Sequence, residues 1–182
     1  MVMLGTAGCG AAATDDGRAA AGAATICTHG TYTWSGVRHE ERLTGLPDRI
    51  TYTDGGYQGT VEPVSDTVYR PTVTHPPKGV APARVIKALG THLKTEDPLA
   101  GPSETAGHEE TDFFDVLVGP RQPYYTWESI GLVEADFTYS CGLNPPVRGH
   151  VHTWDTYGGG FIPCSEPPES AAAQAAASKL CP

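Results

Sequence analysis

Two histidines separated by one residue, His150 and His152, have the spacing that most directly suggests chemistry. They lie in a run that alternates between two sets of residues as a β-strand does, so both imidazoles are expected on one face. Neutral imidazoles on one face can bind Zn²⁺ or a similar ion, with His29, His39 or Asp155 completing the site. The candidate zinc ligands are therefore His150, His152 and His29, although an ordinary solvated strand face is the preferred explanation of such a pair.

Carboxylates are the second group of candidates. Glu128, Glu134 and Asp136 could supply a pair for acid–base catalysis, but strand alternation places Glu134 and Asp136 on the outward face, where water explains them better than a glycosidase site does. The acidic stretch around His108 lacks the ligand spacing of an EF-hand and is typical of a solvated loop. No nucleophile elbow, P-loop or dinucleotide motif is present. No catalytic residue is identified, and the sequence leans away from an enzyme.

Aromatic side chains are common in the chain, which has 3 Trp and 8 Tyr. Glycines near several of them leave space, so one hypothesis is an aromatic binding face for a sugar, a peptide or a partner protein. Its candidate residues are Trp34, Trp127, Trp154 and Tyr157. Core packing is the default interpretation for any single one of them.

The chain has five cysteines, and one stands apart from the other four. Cys9 follows Thr6-Ala7-Gly8, which resembles the bacterial lipobox, in which small residues precede a cysteine that is diacylated. Cys9 is therefore the candidate lipidation site. The others lie in or beside segments expected to fold, and two disulfides among them would place the chain outside the reducing cytosol. They are Cys27, Cys141, Cys164 and Cys181.

Four cysteines allow three pairings, and the sequence alone does not choose between them. The expected course of the chain favours Cys141–Cys164, which leaves Cys27–Cys181 to tie the first strand to the last helix. One objection is that two strands separated by a third lie roughly 9 to 10 Å apart, which is too far for a disulfide unless the chain bends inward.

The chain divides into three parts by composition. Residues 1–9 resemble the end of a signal segment, residues 10–24 form a flexible tether of small polar residues, and residues 25–182 form a single β-rich domain. The expected fold is mainly β with a minor α contribution: an antiparallel, sandwich-like meander with one central helix, a short Ala-rich C-terminal helix and two disulfides.

Several elements can be placed along this domain. Residues 49–64 predict a hairpin around Asp54-Gly55-Gly56, and the spacing of apolar residues after Pro82 predicts a helix. Residues 132–139 predict a strand whose Val133, Ala135, Phe137 and Tyr139 face the core. Residues 147–154 predict the next strand, and residues 155–160, which end in three glycines, predict a turn that ends it.

The net charge of the chain restricts the kinds of partner that it is expected to bind. The formal net charge is −9, with 12 Lys and Arg against 21 Asp and Glu, which argues against binding nucleic acid or anionic lipid through a basic surface. Apolar runs are too short to span a bilayer, so the membrane is expected to be a partner through the lipid anchor only.

A family resemblance rests on the lipobox-like N-terminus and on three further stretches, residues 26–34, 131–137 and 149–154. They resemble an uncharacterised family of secreted lipoproteins from Streptomyces and related actinobacteria. The resemblance implies a location on the outer face of the cell membrane, and it carries no activity.

The predicted function is an extracytoplasmic, lipid-anchored binding or interaction module, whose ligand is an envelope protein, a peptide or a glycan. One alternative is a hydrolase of envelope material that uses a metal at His150 and His152 or a pair of carboxylates. Another is a purely structural envelope protein.

Overall fold

β-branched and aromatic residues recur through the body of the chain and favour extended backbone. The computed structural model describes residues 26–53, 55–107, 109–115 and 121–182. Cys9, the predicted tether at 10–24 and His108 lie outside these ranges. The described residues form seven strands and two helices: β1 (Thr31–Pro47), β2 (Thr51–Thr53), β3 (Gly56–Pro63), β4 (Thr72–Thr74), α1 (Pro82–Leu93), β5 (Thr111–Asp115), β6 (Tyr124–Cys141), β7 (Asn144–Pro163) and α2 (Ala171–Leu180).

One antiparallel sheet contains all seven of these strands. Its order is β2-β3-β1-β6-β7-β4, and β5 pairs with β3. The long strands β1, β6 and β7 form its centre. The sheet curls, so that Tyr57 on β3 packs against Tyr124 and Phe161, with ring centroids 4.7 and 5.6 Å apart. The prediction of a mainly β, antiparallel fold with two helices and two disulfides is confirmed.

Both helices pack on the same face of β6. Alternate residues of that strand, including Val133, Ala135 and Phe137, are buried in one apolar cluster with Val85, Ile86 and Leu89 of α1. Nearer the start of β6, on the same face, Tyr125 is buried against Ala173 and Ala176 of α2. The predicted inward set at 133–139 is therefore correct, and it leaves Glu134 and Asp136 on the side away from the helices.

Both predicted helices are present, and α1 begins at Pro82 as the sequence predicts. Pro82 lies in the first turn of α1, where its missing N–H costs no hydrogen bond, and Lys94 ends the helix in a left-handed conformation with φ of 59°. The side chain of Ser170 caps α2 by accepting a hydrogen bond from the backbone N–H of Ala173 at 3.2 Å.

The predicted turn at Gly158–Gly160 is wrong, because β7 runs without interruption from Asn144 to Pro163. Gly158 and Gly160 allow side chains of β6 to lie across β7. A Cβ atom on Gly160 would lie 2.6 Å from the ring of Trp127. The glycines therefore provide space within a strand and do not end it.

The predicted disulfide connectivity is also wrong. The bridges are Cys27–Cys141 and Cys164–Cys181, with Cα–Cα distances of 6.2 and 5.6 Å. Because β6 and β7 form one unbroken hairpin, Cys141 lies at its turn and Cys164 at its opposite end. Cys27 precedes β1, which brings it beside Cys141, and Cys181 follows α2, which brings it beside Cys164.

Candidate functional site

Strand register brings each of the two histidines beside a carboxylate. His150 lies directly opposite Asp136, and His152 lies opposite Glu134, on the neighbouring strands β7 and β6. The Nδ1 atom of His150 is 2.9 Å from Oδ1 of Asp136, and Nδ1 of His152 is 3.2 Å from Oε1 of Glu134. The two pairs lie side by side on the face opposite the helices.

A cation from β1 joins this arrangement. The register between β1 and β6 shifts between Ser35 and Arg38, as in a β-bulge, and places Arg38 opposite Glu134. Gly36 occupies the shift with a φ of +61°, a conformation that glycine adopts without steric cost. The guanidinium of Arg38 then lies 3.2 Å from Oε2 of Glu134. We call Arg38, Glu134, Asp136, His150 and His152 the histidine–carboxylate face.

The protonation pattern of this face follows from the chemistry of its groups. An ionised carboxylate only accepts hydrogen bonds, so the Nδ1–H of each imidazole donates to its partner. In the neutral ring this leaves the Nε2 lone pair available to accept. The side chains of His150 and His152 are 33% and 27% exposed, so both remain within reach of a ligand.

These pairs contribute little to stability. Ion pairs with this degree of exposure are worth about 0 to 1 kcal/mol each, because water and salt screen them. The fold rests instead on the apolar clusters beneath α1 and α2. The polar side chains of the face are thus held in place by the sheet without being needed to hold it together.

A cavity of about 380 Å³ borders the face. Leu132, which is almost completely buried, contributes to its lining together with the ion-paired side chains of Arg38 and Glu134. His39 and Glu40 complete the lining. Such a cavity offers one cation, two carboxylates and a small apolar surface, a combination that suits a small polar group with donors and acceptors of its own.

The predicted zinc ligands are only partly brought together. His150 and His152 share a face, but His29 is an exposed residue that precedes β1. The nearby Thr31 pairs with Ser140, well along β6 from Asp136, which pairs with His150. Within the part of the chain that the structure describes, no group of three His, Cys, Asp or Glu side chains is arranged to hold a metal ion. The zinc site stays a prediction that His29 does not support.

The four predicted aromatic residues do not form one face. Trp34 packs beside the α1 cluster and stacks on His92, and Trp127 packs beside α2. Trp154 is buried in a third cluster with Ile130 and Leu132. Of the other three predicted residues, the exposed Tyr157 lies near it, with ring centroids 6.2 Å apart. Packing therefore accounts for all three tryptophans.

Glu128 lies apart from the histidine–carboxylate face and lines a different cavity, together with Thr44 and Tyr157. Sequence reasoning assigned no role to Arg38. It also missed Glu41, whose carboxylate accepts hydrogen bonds from the Ser129 hydroxyl at 3.0 Å and from the Ala172 N–H at 3.4 Å. Glu41 thereby fastens the start of α2 to the sheet.

Comparison with known proteins gave no match: no family model, no curated protein and no solved structure is significantly similar to this chain. Neither helix of the described residues is long and apolar enough to cross a bilayer. The two disulfides indicate an oxidising, extracytoplasmic environment.

Proposed function

We propose that the chain is an extracytoplasmic binding module, anchored by a lipid on Cys9, that recognises a polar ligand of the cell envelope through the histidine–carboxylate face. The observation that carries this proposal is the pairing of His150 with Asp136 and of His152 with Glu134 on the side of the sheet away from both helices.

The energetics of the face favour recognition over a structural role. Partly exposed ion pairs contribute little to folding, yet here several of them are aligned on adjacent strands by strand register. Groups held on strands keep their positions better than groups on loops, which lowers the entropic cost of binding a ligand. Both signs of charge are present, which suits a peptide or a glycan with donors and acceptors.

Location and anchoring rest on separate observations. Both disulfides are consistent with a protein that is oxidised after export. The lipobox-like residues before Cys9 supply an anchor, and a flexible tether such as 10–24 has a root-mean-square reach of roughly 20 Å. A module held in this way would meet its ligand close to the membrane.

Binding of the oxidised chain to fractionated envelope material tests the recognition surface. We expect wild type to bind either a peptide-containing or a glycan fraction, and the double variant Glu134→Gln with Asp136→Asn to bind at least tenfold more weakly. Glu62→Gln with Asp66→Asn is the matched control, since it removes the same charge from exposed positions elsewhere. Equal binding by both variants would exclude the face as the recognition surface.

The same assay separates the other functions. Release of soluble fragments from the envelope material, without retention of the protein, would indicate a hydrolase. No retention on any fraction would contradict the binding module. The anchor has its own test: cells fed labelled palmitate should label wild type and leave Cys9→Ser unlabelled.

A further inference from the structure

Three segments that are distant in sequence meet at one end of the sheet, and we call this the hairpin end: residues 26–30, 75–79 and 141–148. The disulfide Cys27–Cys141 joins the first segment to the third. A Cβ atom on Gly79 would lie 2.5 Å from Ile26, so the second segment packs against the first. A cavity of about 270 Å³ between them is lined mainly by apolar groups.

The tip of this end is apolar where a polar residue is expected. Gly142 and Leu143 form the tight turn between β6 and β7, and such turns strongly favour Asn, Asp and Gly. Leu143 is nevertheless fully exposed, and Ile26 is 60% exposed beside the disulfide. Pro145 and Pro146 are also exposed. The hairpin end therefore presents an apolar tip to its surroundings.

The charge of the hairpin end is opposite to that of the whole chain. The net charge of the protein is −9, yet the three segments contain no Asp or Glu. They contain Lys78 and Arg148, both exposed, together with His29 and His75. Apolar side chains at a tip flanked by cations are the combination that binds the interface of an anionic bilayer.

We infer that the hairpin end docks on an anionic lipid bilayer, with Leu143 and Ile26 entering the headgroup region and Lys78 and Arg148 facing lipid phosphates. The inference deepens the proposed function, because it states which end of the anchored module faces the membrane. Ile26, within this end, follows the predicted tether at 10–24 by two residues, so a tether from Cys9 would lead to it. Although the net charge argues against binding anionic lipid, the local charge favours it.

Vesicle binding tests this surface without the acyl anchor. The oxidised Cys9→Ser chain is sedimented with vesicles of phosphatidylglycerol and phosphatidylethanolamine, and separately with phosphatidylcholine alone. We expect binding to the anionic vesicles that weakens with salt, and an about tenfold lower partition coefficient for Leu143→Asp, because a charged side chain replaces the apolar one that would enter the bilayer. Phe114→Asp is the control, since it places the same charge at a residue that is 58% exposed on β5.

The outcomes separate this inference from the anchor. Equal loss of binding in Leu143→Asp and Phe114→Asp, or no binding of the parent chain to anionic vesicles, would overturn the docking surface even if palmitate labels Cys9. Vesicle binding that depends on Leu143, in a chain that cells do not acylate, would support the surface and contradict the anchor. A charge reversal at Lys78 should reduce the salt dependence, which a purely apolar contact would leave unchanged.

Discussion

The hydroxyl of Tyr139 donates a hydrogen bond to the carbonyl oxygen of Cys27 at 3.0 Å. The hydroxyl oxygen of Tyr139 in turn accepts a hydrogen bond from the backbone N–H of Gly30 at 2.7 Å. Tyr139 is almost completely buried, and its partners Cys27 and Gly30 are partly buried. Together with the Cys27–Cys141 bridge, these hydrogen bonds fasten the segment before β1 to the end of β6.

Replacing Tyr139 with Phe should therefore destabilise the protein by about 1 to 3 kcal/mol, because the partly buried N–H of Gly30 and carbonyl of Cys27 both lose their partner. The matched control is Tyr32→Phe. The hydroxyl of Tyr32 is buried without a hydrogen-bond partner among the described residues, so its removal should leave stability unchanged or raise it by up to about 1 kcal/mol. Urea unfolding of the two variants measures the difference, and equal stability would contradict the role of Tyr139.

Alkaline pH should destabilise the protein through its buried phenols. Burial is the largest cause that raises the pKa of Tyr32 and of Tyr125 above the usual 10.0. Their neutral forms are favoured in the folded state. Their contribution to the free energy of unfolding is therefore fully present below pH 10, the pKa in the unfolded chain, and is lost as the pH rises through the higher pKa of the folded state. The melting temperature should fall between pH 9 and 11, and less steeply in Tyr32→Phe. The same fall in Tyr157→Phe and in Tyr32→Phe would contradict this assignment.

Local sequence patterns predict the elements whose apolar residues recur with the spacing of only one type of secondary structure. The alternation of Val133, Ala135, Phe137 and Tyr139 gives the buried face of β6, and apolar spacing with Pro82 gives α1. The same reasoning gave a wrong prediction at the glycines 158–160, which lie within a strand. A run of glycines favours a turn, unless a side chain of the adjacent strand occupies the space that a Cβ atom would fill. Which side chain lies there is known only once the pairing register of β6 and β7 is known.

Substitution of Gly160 tests that explanation. In Gly160→Ala the new methyl group would lie 2.6 Å from the Trp127 ring, so we expect a loss of about 1 to 3 kcal/mol in unfolding free energy. Gly101→Ala is the control, because its new methyl group would meet its nearest neighbour, Glu104, at an ordinary 3.5 Å. Denaturant midpoints compare the two, and a Gly160→Ala midpoint that matches the control would show that Trp127 does not lie over Gly160.

The sequence predicts part of the histidine–carboxylate face, namely which residues share a side of the sheet, but not which residues pair. A spacing of two residues places His150 and His152 on one face, and the outward position of Glu134 and Asp136 follows from alternation. Which carboxylate meets which histidine depends on the register of the β6–β7 hairpin, and the approach of Arg38 depends on a shift in pairing. Both are set by long-range packing, which no local pattern encodes.

The two disulfides should contribute unequally. In the chain-entropy model a cross-link that closes a longer loop removes more freedom from the unfolded chain. Cys27–Cys141 spans 114 residues and Cys164–Cys181 spans 17, so the expected contributions are about 4.7 and 3 kcal/mol. The double variant Cys27→Ser with Cys141→Ser should therefore unfold at a lower denaturant concentration than Cys164→Ser with Cys181→Ser.

Peptide mapping decides whether these are the native bridges. Digestion of the unreduced protein should give one cross-linked pair containing Cys27 and Cys141, and another containing Cys164 and Cys181. A bridge between Cys141 and Cys164 would require β7 to break at its glycines and return its end to the β6–β7 turn. Finding that pair would overturn the continuous hairpin and, with it, the register that places His150 and His152 beside their carboxylates.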